Sequence, residues 1–263
     1  MLFARPVSTQ GESDFQLAPF GYFPAVEGVI ANSGAIDVAG DGASGILAVG
    51  DGNHITNSGR IATDGGIAGA GPLGPLSAAG VIVSGHDAIV ENETTGLIRS
   101  ADAASAAVEL NIIERIGLIV ADTATRLENF GKIKGADLAI LGGAGEETVV
   151  NRGRIVGDVD LGAGADTFVF GKGGTVASTV LLGEGDDLVC IRNGAGEAEV
   201  ADFAAGPGGD VADVSAFFAS FAELMSEAEQ DGGDVAIDLD HNDRLVLRDV
   251  QLGDLSAGDF LFA

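Results

Sequence analysis

Short apolar runs broken by polar corners organise this chain, and the corners repeat. The pattern Asn-x-Gly-x-Ile reads Asn32-Ser33-Gly34-Ala35-Ile36, Asn57-Ser58-Gly59-Arg60-Ile61, Asn129-Phe130-Gly131-Lys132-Ile133 and Asn151-Arg152-Gly153-Arg154-Ile155. Degenerate copies stand at Asn92 to Ile98, with one extra residue before Gly96, and at Arg115-Ile116-Gly117-Leu118-Ile119. Isoleucine at a fixed offset from a glycine corner predicts an inward-pointing strand residue. Asparagine at the corner predicts a left-handed turn and a side chain that bonds its counterpart in the next repeat. Alternation over residues 43–49 and 81–83 adds further short strands. Neighbouring copies lie 25, 14 and 22 residues apart, except that the interval from Asn57 to Asn92 is too long. The Gly/Ala/Pro-rich segment 65–80 accounts for that excess as an excursion from one repeat.

A second repeat follows. Gly142-Gly143-Ala144-Gly145-Glu146-Glu147, Leu161-Gly162-Ala163-Gly164-Ala165-Asp166 and Leu182-Gly183-Glu184-Gly185-Asp186-Asp187 start 19 and 21 residues apart, and each leads into a β-branched or apolar run. Two independent repeats of similar period predict a mainly β chain, a parallel β-helix or β-solenoid, with a small α/β C-terminal region. Residues 28–195 form the repeat body, with acidic turns at 142–191. Residues 1–27 do not repeat and hold Phe3, Phe15, Phe20, Tyr22 and Phe23, which suits a cap over the open end of a stack. Residues 196–263 carry one predicted helix, with Ser215 as N-cap, Phe217, Phe221, Leu224, Met225 and Ala228 on one stripe, and Gly232-Gly233 as the stop. Strands are predicted at 235–239 and 244–250.

Charge narrows the partners. Forty acidic residues against thirteen basic give a formal charge of −27, while mean hydropathy is +0.31. That pairing predicts a filled interior beneath an acidic surface that repels phosphate backbones and anionic lipids, so neither nucleic-acid binding nor membrane insertion is expected. Divalent cations are the natural partner. Cys190 is the only cysteine, so an intramolecular disulfide is excluded. No N-terminal signal-peptide pattern is found.

The glycine–acid turns resemble the nonapeptide of RTX calcium-binding proteins, G-G-x-G-x-D-x-U-x. Downstream, Val200-Ala201-Asp202-Phe203, Gly209-Asp210-Val211-Ala212-Asp213-Val214-Ser215, Asp234-Val235-Ala236-Ile237-Asp238-Leu239 and the closing Asp259-Phe260-Leu261-Phe262 resemble the C-terminal region of RTX proteins exported by type I secretion machinery. The resemblance implies Ca²⁺ held between successive turns by backbone carbonyls and carboxylates. Matched residue by residue, the ligands would be Gly143, Gly145 and Glu147, then Gly162, Gly164 and Asp166, then Gly183, Gly185 and Asp187. Glu147 stands where Asp is usual, and Leu161 and Leu182 replace the first glycine. Asp202, Asp210 and Asp213 are candidates for a further site. It also implies an extracellular or cell-surface protein that folds on meeting external calcium.

No catalytic constellation emerges: neither His-Glu-x-x-His nor Gly-x-Ser-x-Gly occurs. His54 and His86 read as isolated surface residues, and Cys190 as a packing residue. The expected role is a structural component of a surface, matrix or filament, with calcium-driven homo-assembly. The alternatives are an extracellular polysaccharide lyase or epimerase, or an adhesin. For the last, Arg60, Lys132 and Arg154 share one position of the Asn-x-Gly-x-Ile repeat and would form a basic stripe against a surface or matrix polysaccharide.

Overall fold

The structure, a computed structural model, describes residues 28–67, 77–111 and 124–263. The cap expected over 1–27, the middle of the expected excursion and the copy at Arg115 lie outside the described residues. The chain is mainly β, and its strands lie in parallel sheets. Consecutive strands are dealt between two sheets. The first contains β1 (Val29–Asn32), β4 (His54–Asn57), β7 (Ala88–Asn92), β10 (Ala124–Asn129), β12 (Glu146–Asn151), β14 (Thr167–Phe170), β17 (Leu188–Ile191), β19 (Val211–Asp213) and β23 (Phe260–Leu261), in that order. The second runs through β2 (Ala35–Val38), β5 (Arg60–Thr63), β8 (Leu97–Ser100), β11 (Lys132–Leu141), β13 (Arg154–Asp160), β16 (Val180–Leu181) and β18 (Glu197–Val200). A side column, β3 (Ile46–Val49), β6 (Val81–Ser84) and β9 (Val108–Leu110), joins it where β9 pairs the far end of β11. The two sheets are not closed into one another.

Register turns the sequence repeats into columns. Ile36, Ile61, Ile98, Ile133 and Ile155 pair in succession, and the last four are fully buried. In the first sheet Ile55, Val90, Leu127, Val149, Phe168 and Val189 do the same. Identical inward offsets place one apolar side chain over the next, and each buried aliphatic contributes roughly 1.5–3 kcal/mol. A one-residue slip would expose a whole column.

The asparagines form the expected ladder. Asn32 Nδ2 donates to Asn57 Oδ1 at 2.8 Å, Asn57 to Asn92 at 2.8 Å, Asn92 to Asn129 at 2.8 Å and Asn129 to Asn151 at 2.9 Å. Their backbone is not left-handed, contrary to expectation; among the described residues only Asp87, Asn111 and Asp249 have positive φ outside glycine. The corner glycines act through close approach instead: a Cβ on Gly131 would lie 2.2 Å from the Glu93 carbonyl oxygen. Asn92 pairs directly with Asn129, so the degenerate copy at Asn92 is a full member of the ladder.

Both sheets continue past residue 196: β22 (Arg244–Leu247) extends the second on β18, and β23 extends the first on β19. The helix is shorter than predicted. α1 spans Phe221–Ser226 with Ser220 as N-cap, its hydroxyl accepting the Glu223 N–H. Asp213 draws the Ser215 N–H and hydroxyl into a local turn, so helix does not start there. Past α1, β20 (Ala228–Asp231) pairs antiparallel with β21 (Asp234–Asp238), which pairs β22. Gly232-Gly233 is therefore a hairpin turn, with Gly232 at φ +67°, and not a helix stop. No helix among the described residues is long and apolar enough to cross a membrane.

Candidate functional site

The three glycine–acid turns lie one above another at the leading edge of the first sheet, because the strands that follow them are in register: Thr148 pairs Thr167, and Thr167 pairs Leu188. Left-handed glycines make this stacking feasible. Gly162, Gly164, Gly183 and Gly185 have φ of +93°, +141°, +104° and +150°. A Cβ on Gly164 would sit 1.8 Å from the Gly145 carbonyl oxygen, and one on Gly185 1.7 Å from that of Gly164. Neighbouring turns also bond directly: Ala163 N–H donates to Gly143 O at 2.7 Å and Glu184 N–H to Gly162 O at 2.8 Å.

The acid that closes each turn points inward, and the acids form a column. Glu147 N–H donates to Asp166 Oδ1 at 2.6 Å, Asp166 N–H to Asp187 Oδ1 at 2.7 Å, and Asp187 N–H to Asp210 Oδ1 at 3.1 Å. Asp210 closes one end, its Oδ2 taking the Ala204 N–H at 2.8 Å. At the other end Asn111 donates to Glu147, and Thr125 donates to Asn111 Oδ1 at 2.7 Å. Glu147, Asp166, Asp187 and Asp210 are each no more than 2% exposed. Asp166 and Asp187 each accept a turn N–H through one oxygen, Asp210 accepts through both, and Glu147 Oε1 takes the Asn111 amide, while Glu147 Oε2, Asp166 Oδ2 and Asp187 Oδ2 are buried without a hydrogen-bond partner.

Burial sets the protonation of this column. Desolvation pushes the Glu147 carboxyl far above the ordinary range, and the neighbouring Asp166 charge adds to it. Desolvation likewise raises Asp166, opposed by the Glu147 N–H and reinforced by Asp187. Asp187 is pushed up to about 6 by burial, against the Asp166 N–H, and Asp210 is raised for the same first reason. Stacked like charges a strand spacing apart, about 4.8 Å, cannot all ionise cheaply in a dry setting.

Other predicted ligands sit elsewhere. Asp202 is outside the column: its carboxylate accepts from Leu182 N–H at 2.8 Å and Gly183 N–H at 3.0 Å, tying the start of a turn. Asp213 lies on β19, ion-paired to Arg192 at 2.8 Å. Burial works to raise its carboxyl, but the Ser215 and Arg192 bonds prevail and hold it below the usual range. Asp213 is thus engaged away from the column, while the Asp202 charge reaches Asp187 and Asp210 and adds to the rise of both carboxyls. Among the described residues no three carboxylate, imidazole or thiol side chains converge as a metal-holding group. The column itself offers one buried carboxylate per turn, with the charges of Glu146, Asp186 and Asp202 acting on it from beside. Cys190 is buried as expected, and His54 faces Glu91 at 3.3 Å.

Four further contributors lie outside the glycine–acid repeat. Asn111 and Thr125 flank the undescribed residues 112–123 and belong to no repeat. Asp243 and Asp259 are further buried carboxylates, 2% and 1% exposed, that clamp turns from far along the chain. Asp243 takes the Gly194 and Gly196 N–H groups at 2.6 Å each, and Asp259 takes that of Gly206 at 2.8 Å. Of the basic stripe, Lys132 and Arg154 are direct register partners, whereas Arg60 is ion-paired to Asp37 at 2.8 Å.

No family model matches the sequence, and a search of curated proteins gave no match.

Proposed function

We propose that this chain is a secreted, calcium-stabilised β-solenoid of RTX type that serves as a structural component of a surface, matrix or filament. The observation that carries the reading is the buried carboxylate column with its unpartnered oxygens at Glu147, Asp166 and Asp187. Buried carboxylates in pairs are tolerated when neutralised by protons or by a cation. Calcium takes six to eight oxygens, carboxylate and carbonyl alike. The residues that would hold it are Glu147, Asp166, Asp187 and Asp210 together with carbonyls of the glycine turns at 143–145, 162–164 and 183–185. Bound there, the ion supplies positive charge to a column that otherwise must retain protons.

The alternation of strands between two parallel sheets, rung on rung, supports the solenoid reading. Extracellular calcium modules bind at about 10⁻⁴–10⁻³ M, weaker than free cytosolic calcium can fill. On this reading the chain stays largely unfolded in the producing cell, leaves by a type I route and folds outside, where assembly into larger structures follows. The test is far-UV circular dichroism with thermal melting, first in chelator and then through a millimolar calcium titration. Calcium should raise the β signal and Tm of the natural chain, and Asp166→Asn with Asp187→Asn should abolish the response. A natural chain indifferent to calcium overturns the proposal.

A further inference from the structure

The outer face of the second sheet carries a charge arrangement that the rest of the molecule avoids. Lys132 and Lys134 lie two residues apart on β11, both exposed, with the fully buried Ile133 between them, so they share a face. Arg154 on β13 pairs Lys132, and Arg99 on β8 pairs Lys134. Four cations thus occupy three adjacent strands, at a strand spacing of about 4.8 Å. Like charges directly opposite on a sheet are destabilising.

Pairing partners are abundant in a chain with forty acids. Six other arginines use them: Arg60, Arg126, Arg152, Arg192, Arg244 and Arg248 all form ion pairs. Arg99, Lys132, Lys134 and Arg154 form none among the described residues. Asp158 on β13 is engaged by Ser178 and Thr179, whose hydroxyls donate to it and hold its carboxyl below the usual range, and the exposed Asp137 on β11 forms no ion pair with the stripe among the described residues.

We propose that this face binds an acidic polysaccharide, a polyuronate, laid across β8, β11 and β13. The patch lies on the exposed side of paired strands, which suits an extended chain and not a small anion needing a pocket. Guanidinium forks at Arg99 and Arg154 match planar carboxylates, with Lys132 and Lys134 as point charges beside them. The patch is also narrow within a molecule of net charge −27. A bilayer surface or a nucleic-acid duplex is broad and would bring its phosphates against the acidic flanks, whereas a single sugar strand need not. No aromatic side chain stands on these three strands to stack nucleobases. The stripe is independent of the carboxylate column and of calcium.

The test is binding of polygalacturonate, by biolayer interferometry at low and high salt, to the natural chain, Lys132→Glu/Arg154→Glu and Lys132→Gln/Arg154→Gln, with Lys172→Glu as a remote control and neutral dextran and single-stranded DNA as comparison polymers. Circular dichroism confirms each variant folded, and calcium is kept constant. Binding by the natural chain and by Lys172→Glu is expected, weakening with salt, with at least a tenfold loss in the Gln pair and none detectable in the Glu pair. Dextran should not bind, and DNA should bind at least tenfold more weakly. Absence of polygalacturonate binding, equal binding by folded variants, or DNA bound as well as polygalacturonate overturns the proposal.

Discussion

Gly164 shows how one residue type decides whether the turns stack. Its φ of +141° and a prospective Cβ 1.8 Å from the Gly145 carbonyl oxygen leave no room for a side chain. Gly164→Ala should destabilise the fold by at least about 1 kcal/mol, read from urea unfolding. A substitution at Gly173, where φ is +76° but no atom lies within 4 Å, carries only the backbone strain and should cost less. The buried acids give a pH prediction with a definite sign. Their folded pKa values lie above ordinary carboxylate values near 4, so in chelator the stabilisation from their protonated forms is complete below that pH. It is lost as the pH rises through about 6 for Asp187 and higher for Asp166 and Glu147. Melting in chelator should therefore give a lower Tm at pH 8 than at pH 5. If the proposed calcium sites exist, saturating calcium should remove most of that fall; a metal-free Tm that rises with pH would refute the protonated column.

Among the elements, the asparagine ladder makes the clearest prediction. Asn92 bonds Asn57 on one side and Asn129 on the other, all buried, whereas Asn32 has one asparagine neighbour among the described residues. Asn92→Ala strands both partners and should cost about 2–4 kcal/mol; Asn32→Ala should cost clearly less. Equal losses in urea titrations would show that the ladder does not act as a connected unit. The helix illustrates a limit of pattern reading. Phe217, Phe221, Leu224, Met225 and Ala228 keep helical spacing, yet Ala228 belongs to β20, where four register pairs with β21 outweigh local preference. Periodicity over so short a span does not encode which backbone partner will be adjacent.

For the molecule as a whole, the core is continuous from Ile46 to Phe260, and the C-terminal residues are part of it. Asp243 and Asp259 hold turns of the preceding repeats from 47 to 53 residues away. Asp243→Asn/Asp259→Asn should lower the Tm of the entire chain in one cooperative transition. A separate low-temperature transition confined to residues 196–263 would mean that this region unfolds independently. Single, sharp unfolding is the expected result because no break interrupts either sheet at residue 196.

The isoleucine columns, the asparagine ladder and the acidic turns at Asp166 and Asp187 were readable without coordinates, since a recurring corner motif sets equivalent residues above one another even where the intervals between ladder asparagines run from 22 to 37 residues. Glu147 belonged to that reading too, as a turn-closing acid, whereas Asp210 was expected only in a further site with Asp202 and Asp213 and proved to continue the column. Folding in three dimensions settled matters that spacing does not encode. It gave Asp213 to Arg192 and Ser215, and set Asp202 on the Leu182 and Gly183 N–H groups beside the column. It brought in Asn111, Thr125, Asp243 and Asp259, which no repeat marks. It also set Arg99 and Lys134 beside Lys132 and Arg154 while giving Arg60 to Asp37. Periodicity specifies neighbours within a column; pairing between columns, and across long insertions, depends on register and chain path.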